Sequence, residues 1–92
     1  MNASKTGFIR FSIRNKNGSK VTDDILDRFE DHLTVRLKKN DVISRYGGDI
    51  FVLCTNCNEE DCSDIAKRMI DAWNASEENA DFTVSSEVET VV

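Results

Sequence analysis

The seven residues Arg45-Tyr46-Gly47-Gly48-Asp49-Ile50-Phe51 constrain this chain more than any other stretch. Apolar runs flank them, Asp41-Val42-Ile43-Ser44 before and Val52-Leu53-Cys54 after. Two glycines between strand-like runs predict a tight hairpin, because glycine reaches positive φ without a steric penalty. The acid that follows, Asp49, is placed at the hairpin tip, where a carboxylate could meet a metal ion or a metal-bound phosphate.

Composition bounds the rest. The chain has 92 residues, enough for one domain with one modest core. It is 39% hydrophobic and 32% charged, with a net charge of -5 and a pI near 4.7. An acidic surface argues against DNA, RNA or anionic membranes as partners, since these need clustered Lys and Arg. No apolar run approaches the roughly 18 residues that span a bilayer, so membrane insertion is not expected. Residues 1–6 read as a flexible N-terminal segment without the apolar core of a signal peptide. Three cysteines and no secretion signal suggest a reducing, cytoplasmic setting.

Periodicity supplies the element order. Ile9, Phe11 and Ile13 alternate with Phe8, Arg10, Ser12 and Arg14, the pattern of a half-buried strand. Asn15 to Lys20 reads as a turn, with Thr22 as N-cap of a helix running to about Lys39. Its apolar stripe is Ile25, Leu26, Phe29, Leu33 and Leu37. After the hairpin, Asn58 caps a second helix with the stripe Cys62, Ile65, Ala66, Met69, Ile70 and Trp73. Ala75 to Ala80 is a polar connection, and Asp81 to Ser85, extending toward Val88, is a last strand. The order β-α-β-β-α-β predicts an α+β, ferredoxin-like fold: a four-stranded antiparallel sheet with two helices on one face.

The hairpin resembles the signature of GGDEF domains, the diguanylate cyclase family, written Arg-Tyr-Gly-Gly-Asp-Glu-Phe. The approach Asp41-Val42-Ile43-Ser44-Arg45-Tyr46, the helical Ile65-Ala66-Lys67-Arg68 and the strand Phe82-Thr83-Val84-Ser85 are also similar to family patterns, so the resemblance covers about Leu26 to Val84. It implies the same palm core, and for active members a Mg²⁺-dependent condensation of GTP to cyclic di-GMP in bacterial signalling. It would make Asp49 a metal ligand, vestigial here, and Gly47 and Gly48 a site of close phosphate approach.

The departures point away from catalysis. Ile50 stands where the motif has its second acid. Active members end the first strand in an Asp-x-Asp-like element that holds Mg²⁺; here that strand end is Ser12-Ile13-Arg14. Neither Ser12 nor Arg10 replaces a carboxylate on Mg²⁺, and Arg14 places a positive charge beside the metal position. The connection to the first helix is shorter than the family's guanine-binding loop, and the chain ends at Val92 ahead of the family's closing strand and helix. The product-inhibition motif Arg-x-x-Asp has its counterpart in Lys38-Lys39-Asn40-Asp41, where Lys38 keeps charge but lacks a bidentate fork.

The expected function is therefore a degenerate signalling domain acting as a regulatory or protein-interaction module, with no cofactor, weak nucleotide binding at most, and a protein partner or self-association. Its contact face would be the sheet surface away from the helices, with Phe8, Arg10, Arg14, Phe51 and Leu53. The alternative is a divergent nucleotide cyclase or minimal polymerase palm using Mg²⁺, with Asp49 joined by Asp23, Asp24 or Glu87. Cys54, Cys57 and Cys62 could suggest half a zinc site or a redox pair. The plainer reading is one cysteine in a strand, one in a loop and one on the inner face of a helix.

Overall fold

The computed structural model describes residues 6–55 and 57–91. Strand β1 (Thr6–Asn15) leads into helix α1 (Asp23–Thr34), then the hairpin β2 (Val42–Tyr46) and β3 (Asp49–Thr55), helix α2 (Glu59–Asn74), a short 3₁₀ turn (Glu77–Asn79) and strand β4 (Phe82–Val91). The sheet order is β2-β3-β1-β4 and every pairing is antiparallel. This is the expected ferredoxin-like architecture. The segment expected to be flexible lies outside the described residues, except Thr6, which opens β1 opposite Thr55 and Val91.

The core lies between the helices and one face of the sheet. Ile9, Phe11 and Ile13 of β1 and Ile50, Val52 and Cys54 of β3 alternate inward and are buried. Leu26, Phe29 and Leu33 of α1 and Cys62, Ala66, Met69 and Trp73 of α2 meet them. Phe29 is the keystone. Its ring meets Phe11 of the sheet edge-on at 5.6 Å and Trp73 of α2 at 5.0 Å, the geometry that aromatic quadrupoles favour. The three cysteines fall as the plainer reading has them, in β3, in the following loop and on the inner face of α2, all buried as free thiols. Burial pushes the Cys54 thiol up to about 11 and raises that of Cys62 as well.

Asn58 caps α2 as expected, its side chain accepting from the Asp61 amide at 2.8 Å. Thr22 occupies the N-cap position of α1 without a side-chain hydrogen bond. Helix α1 ends at Thr34, not near Lys39. Thr34 turns its hydroxyl back onto the Glu30 carbonyl, and Arg36 donates to the carbonyl of His32. The amides of Arg36 and Leu37 then close short i→i−3 turns onto Leu33 and Thr34. Leu37 still packs against the core, which is why the apolar stripe outlasts the helix.

His32 ties the helices together. Its Nε2 lies 2.8 Å from the Met69 carbonyl, which can only accept, so Nε2 carries the proton and Nδ1 faces Arg36 Nη1 at 3.2 Å. Burial, with Arg36 nearby and against the Met69 bond, lowers the His32 pKa below 6.5. The unfolded chain takes up the proton first as pH falls, so the unfolded state gains from acidification. Stability is expected to hold above pH 6.5 and to fall as pH drops through 6.5 toward the lower folded value; His32→Gln should flatten that limb of a urea-midpoint against pH curve. Gly7 yields a second expectation. A Cβ there would lie 1.9 Å from Cys62 Sγ, within a buried contact. Gly7→Ala should lower stability by about 1–3 kcal/mol, the overpacking range, read from the urea midpoint at constant m.

Candidate functional site

The hairpin joins β2 to β3 through Gly47 and Gly48, with Tyr46 paired to Asp49. Gly47 has φ +64° while Gly48 is not in the positive-φ region, the pattern of a type II′ turn. The register then fixes every side chain. Asp49 pairs with Ser12 of β1, Phe51 with Arg10, and Leu53 with Phe8. These residues share the face of the sheet away from the helices, while Ile50 between them is fully buried in the core.

Asp49 is held on that open face by three side chains of β1. Ser12 Oγ donates to Oδ1 at 2.9 Å, and Arg14 Nη2 to the same oxygen at 3.2 Å. Arg10 donates to Oδ2 through Nε at 3.0 Å, and its Nη2 lies 2.9 Å from the same oxygen in an ion pair. Partial burial works to raise the Asp49 pKa, but the Ser12 and Arg10 hydrogen bonds, the Arg10 charge and the Arg14 hydrogen bond outweigh it and hold the carboxyl below its ordinary value. Arg14 also donates through Nη1 to the carbonyls of Ile13 (2.8 Å) and Gly48 (3.0 Å). A Cβ on Gly48 would come within 3.1 Å of that guanidinium nitrogen. The group that approaches the second glycine closely is thus an arginine of the same chain.

Of the other acids named as partners for Asp49, Glu87 reaches the open face on β4, 3.8 Å from Arg10, which separates it from Asp49. Asp23 and Asp24 lie in the first turn of α1, in the helical layer. Among the described residues no cluster of three or more His, Cys, Asp or Glu side chains is arranged to hold a metal ion.

Lys38 and Asp41 lie in the connection from α1 to β2. The Asp41 carboxylate accepts from the Lys38 amide at 2.9 Å and from the Thr55 amide at 3.3 Å, closing the turn and tying it to the end of β3. The Lys38 side chain is exposed.

A sequence model described as diguanylate cyclase, GGDEF domain, matches residues 10–91. The chain belongs to the GGDEF domain family. The match extends beyond the resemblance around Leu26 to Val84 and takes in Arg10, Ser12 and Arg14, so the strand facing Asp49 lies inside the family alignment. No curated protein matches the chain. Among the described residues no helix is long and apolar enough to cross a membrane.

Periodicity missed a second polar cluster. Arg28 of α1 lies over the Trp73 ring at 5.4 Å and donates to Asn79 Oδ1 at 2.5 Å, while Asn79 Nδ2 donates to the Trp73 carbonyl at 2.9 Å. Asn79 is buried within the polar connection, so it closes the end of α2. The buried Trp73 Nε1 finds no hydrogen-bond partner among the described residues.

Removing the Asp49 charge tests the site's energetics. Asp49→Asn leaves Arg10 and Arg14 facing a neutral amide and should cost about 1–2 kcal/mol near neutral pH, reduced from a buried pair by the exposure of Arg10. Because the folded pKa of Asp49 is depressed, the wild-type advantage should persist above pH 3.8 and vanish as pH falls below it. Paired urea titrations across that range read the difference.

Proposed function

We propose that this GGDEF-family domain is catalytically inactive and serves as a regulatory or protein-interaction module in cytoplasmic signalling. The observation that carries the reading is the guanidinium clasp on Asp49. Joining nucleotides through a phosphodiester needs metal-bridged phosphates and a positioned hydroxyl. Mg²⁺ takes hard oxygen ligands in near-octahedral geometry. Here both Asp49 oxygens accept from β1, and two of the three donors are cations. A dication at Asp49 would have to displace both arginines and then lie beside them. The donor set does not fit Mg²⁺.

Ile50 supports the same reading. The family motif has an acid at this position, but this side chain is fully buried among Phe11, Val52 and the helices. Lys38 and Asp41 support it too: the acid is spent on backbone amides, and the lysine offers a point charge in place of a fork. What remains available is surface, and the open face of the sheet carries apolar side chains of β1, β2 and β3.

Incubation with GTP and Mg²⁺ or Mn²⁺, followed by chromatographic separation, should yield no protein-dependent cyclic di-GMP. Multiple turnovers would overturn the reading in favour of a divergent cyclase. Ile50→Glu should not create activity. It should instead destabilise the domain by more than about 3 kcal/mol, because a carboxyl would enter the core with no partner there.

A further inference from the structure

We propose that the open sheet face binds an amphipathic helix of a partner protein, with apolar side chains at i, i+3, i+4 and i+7 and lysine or arginine along the flank facing β4. This rests on the reading of the domain as an interaction module and names the chemistry of its partner.

The face has an apolar and an acidic part. A shallow depression of about 400 Å³ is lined by Phe8, Val42, Ser44, Tyr46, Phe51 and Leu53. Phe8 and Phe51 pack against each other with tilted rings, centroids 5.4 Å apart, forming its floor. Val42 is 55% and Tyr46 79% exposed, large apolar surfaces to leave in water on one edge strand. Across the sheet, Phe8 is followed on β4 by Glu89 and Arg10 by Glu87.

The dimensions select a helix. The depression crosses β2, β3 and β1, two inter-strand spacings or about 10 Å, which is the width of a helix. From Val42 to Tyr46 it runs four residues along β2, about 13 Å, or roughly two and a half helical turns. An extended segment added to the β2 edge would lie beside this surface and leave the Phe8–Phe51 floor uncovered.

Charge selects the helix's flank. Arg10 and Arg14 both meet Asp49, and Arg10 also pairs with Glu87. Glu87 is 78% exposed and only 3.8 Å from Arg10 at its nearest, and Glu89 has no ion pair among the described residues. Two guanidiniums against three carboxylates leave one net negative charge on the face, and Glu89 on β4 is the carboxylate outside these ion pairs. The net charge of -5 opposes a second copy as occupant.

The test uses synthetic helical peptides of about 18 residues, long enough to hold a helix. One carries leucines at the stated spacing and a lysine flank, a second has glutamates replacing the lysines, and a third scrambles the first. Fluorescence anisotropy should show the lysine helix binding at least about tenfold more tightly than the other two, with affinity falling as salt is raised. Tyr46→Ser, at an exposed site that does not threaten folding, and Phe51→Ser should each weaken binding about tenfold. Glu87→Gln/Glu89→Gln should remove the preference for lysine. Amide shift changes should be confined to β1, β2, β3 and the Glu87–Glu89 stretch of β4.

Equal binding of the lysine and glutamate helices, or binding indifferent to Tyr46→Ser, would overturn the inference. Sedimentation distinguishes the second-copy case: a dimer dissolved by Phe8→Ser/Phe51→Ser gives the face to self-association, which refutes the helix and leaves the module reading intact. A monomer that binds no peptide refutes the helix alone, while cyclic di-GMP formation from GTP refutes the module reading beneath it.

Discussion

The hairpin register is the constraint on which this domain turns. A two-residue connection leaves no freedom in how β3 returns along β2, and β3 in turn sets the pairing with β1. Side chains alternate along a strand, so the register sends Asp49 to the open face and Ile50 to the core. A slip by one residue would bury the carboxylate and expose Ile50, Val52 and Cys54 together. The glycines therefore govern the chemistry of the site through the register they impose.

Given that register, the site is a question of which cation meets Asp49. A dication and a pair of guanidiniums are alternative answers to one buried-edge carboxylate. The guanidiniums come covalently attached to β1, at a local concentration no free ion can match, and they cross-link neighbouring strands. Arg14 goes further by also engaging the carbonyls of Ile13 and Gly48, so one side chain joins the hairpin tip to the end of β1.

Much of this was legible in the chain. The alternation of Ile9, Phe11 and Ile13 and the Gly47-Gly48 turn predict the sheet and its faces, because period and turn chemistry are local properties. The length of α1 was not, since Leu37 prolongs the apolar stripe after the backbone has left the helix at Thr34. Arg10, Ser12 and Arg14 were recognisable as departures from the family pattern. Their joint hold on Asp49 was not, because it spans 35 to 39 residues and depends on inter-strand register. Asp41 was recognisable as the counterpart of a family motif, but its fastening of the turn to the end of β3 was not. Asn79 sits in a stretch with no periodic signal, so its buried bonds to Arg28 and Trp73 left no mark in the sequence.

The pairing of the outermost strand with the first has a mechanical consequence. Thr6 and Val91 lie opposite one another in adjacent antiparallel strands, and the ladder between them runs on to Asn15 and Phe82. Tension applied between residues 6 and 91 would load the hydrogen bonds of this ladder one after another, starting at its open end. The strands would peel apart like a zip, a far softer response than shearing the whole ladder at once. Pulled in this way, β4 would leave first, and the hairpin with its clasped Asp49 would be among the last parts of the sheet to feel the load.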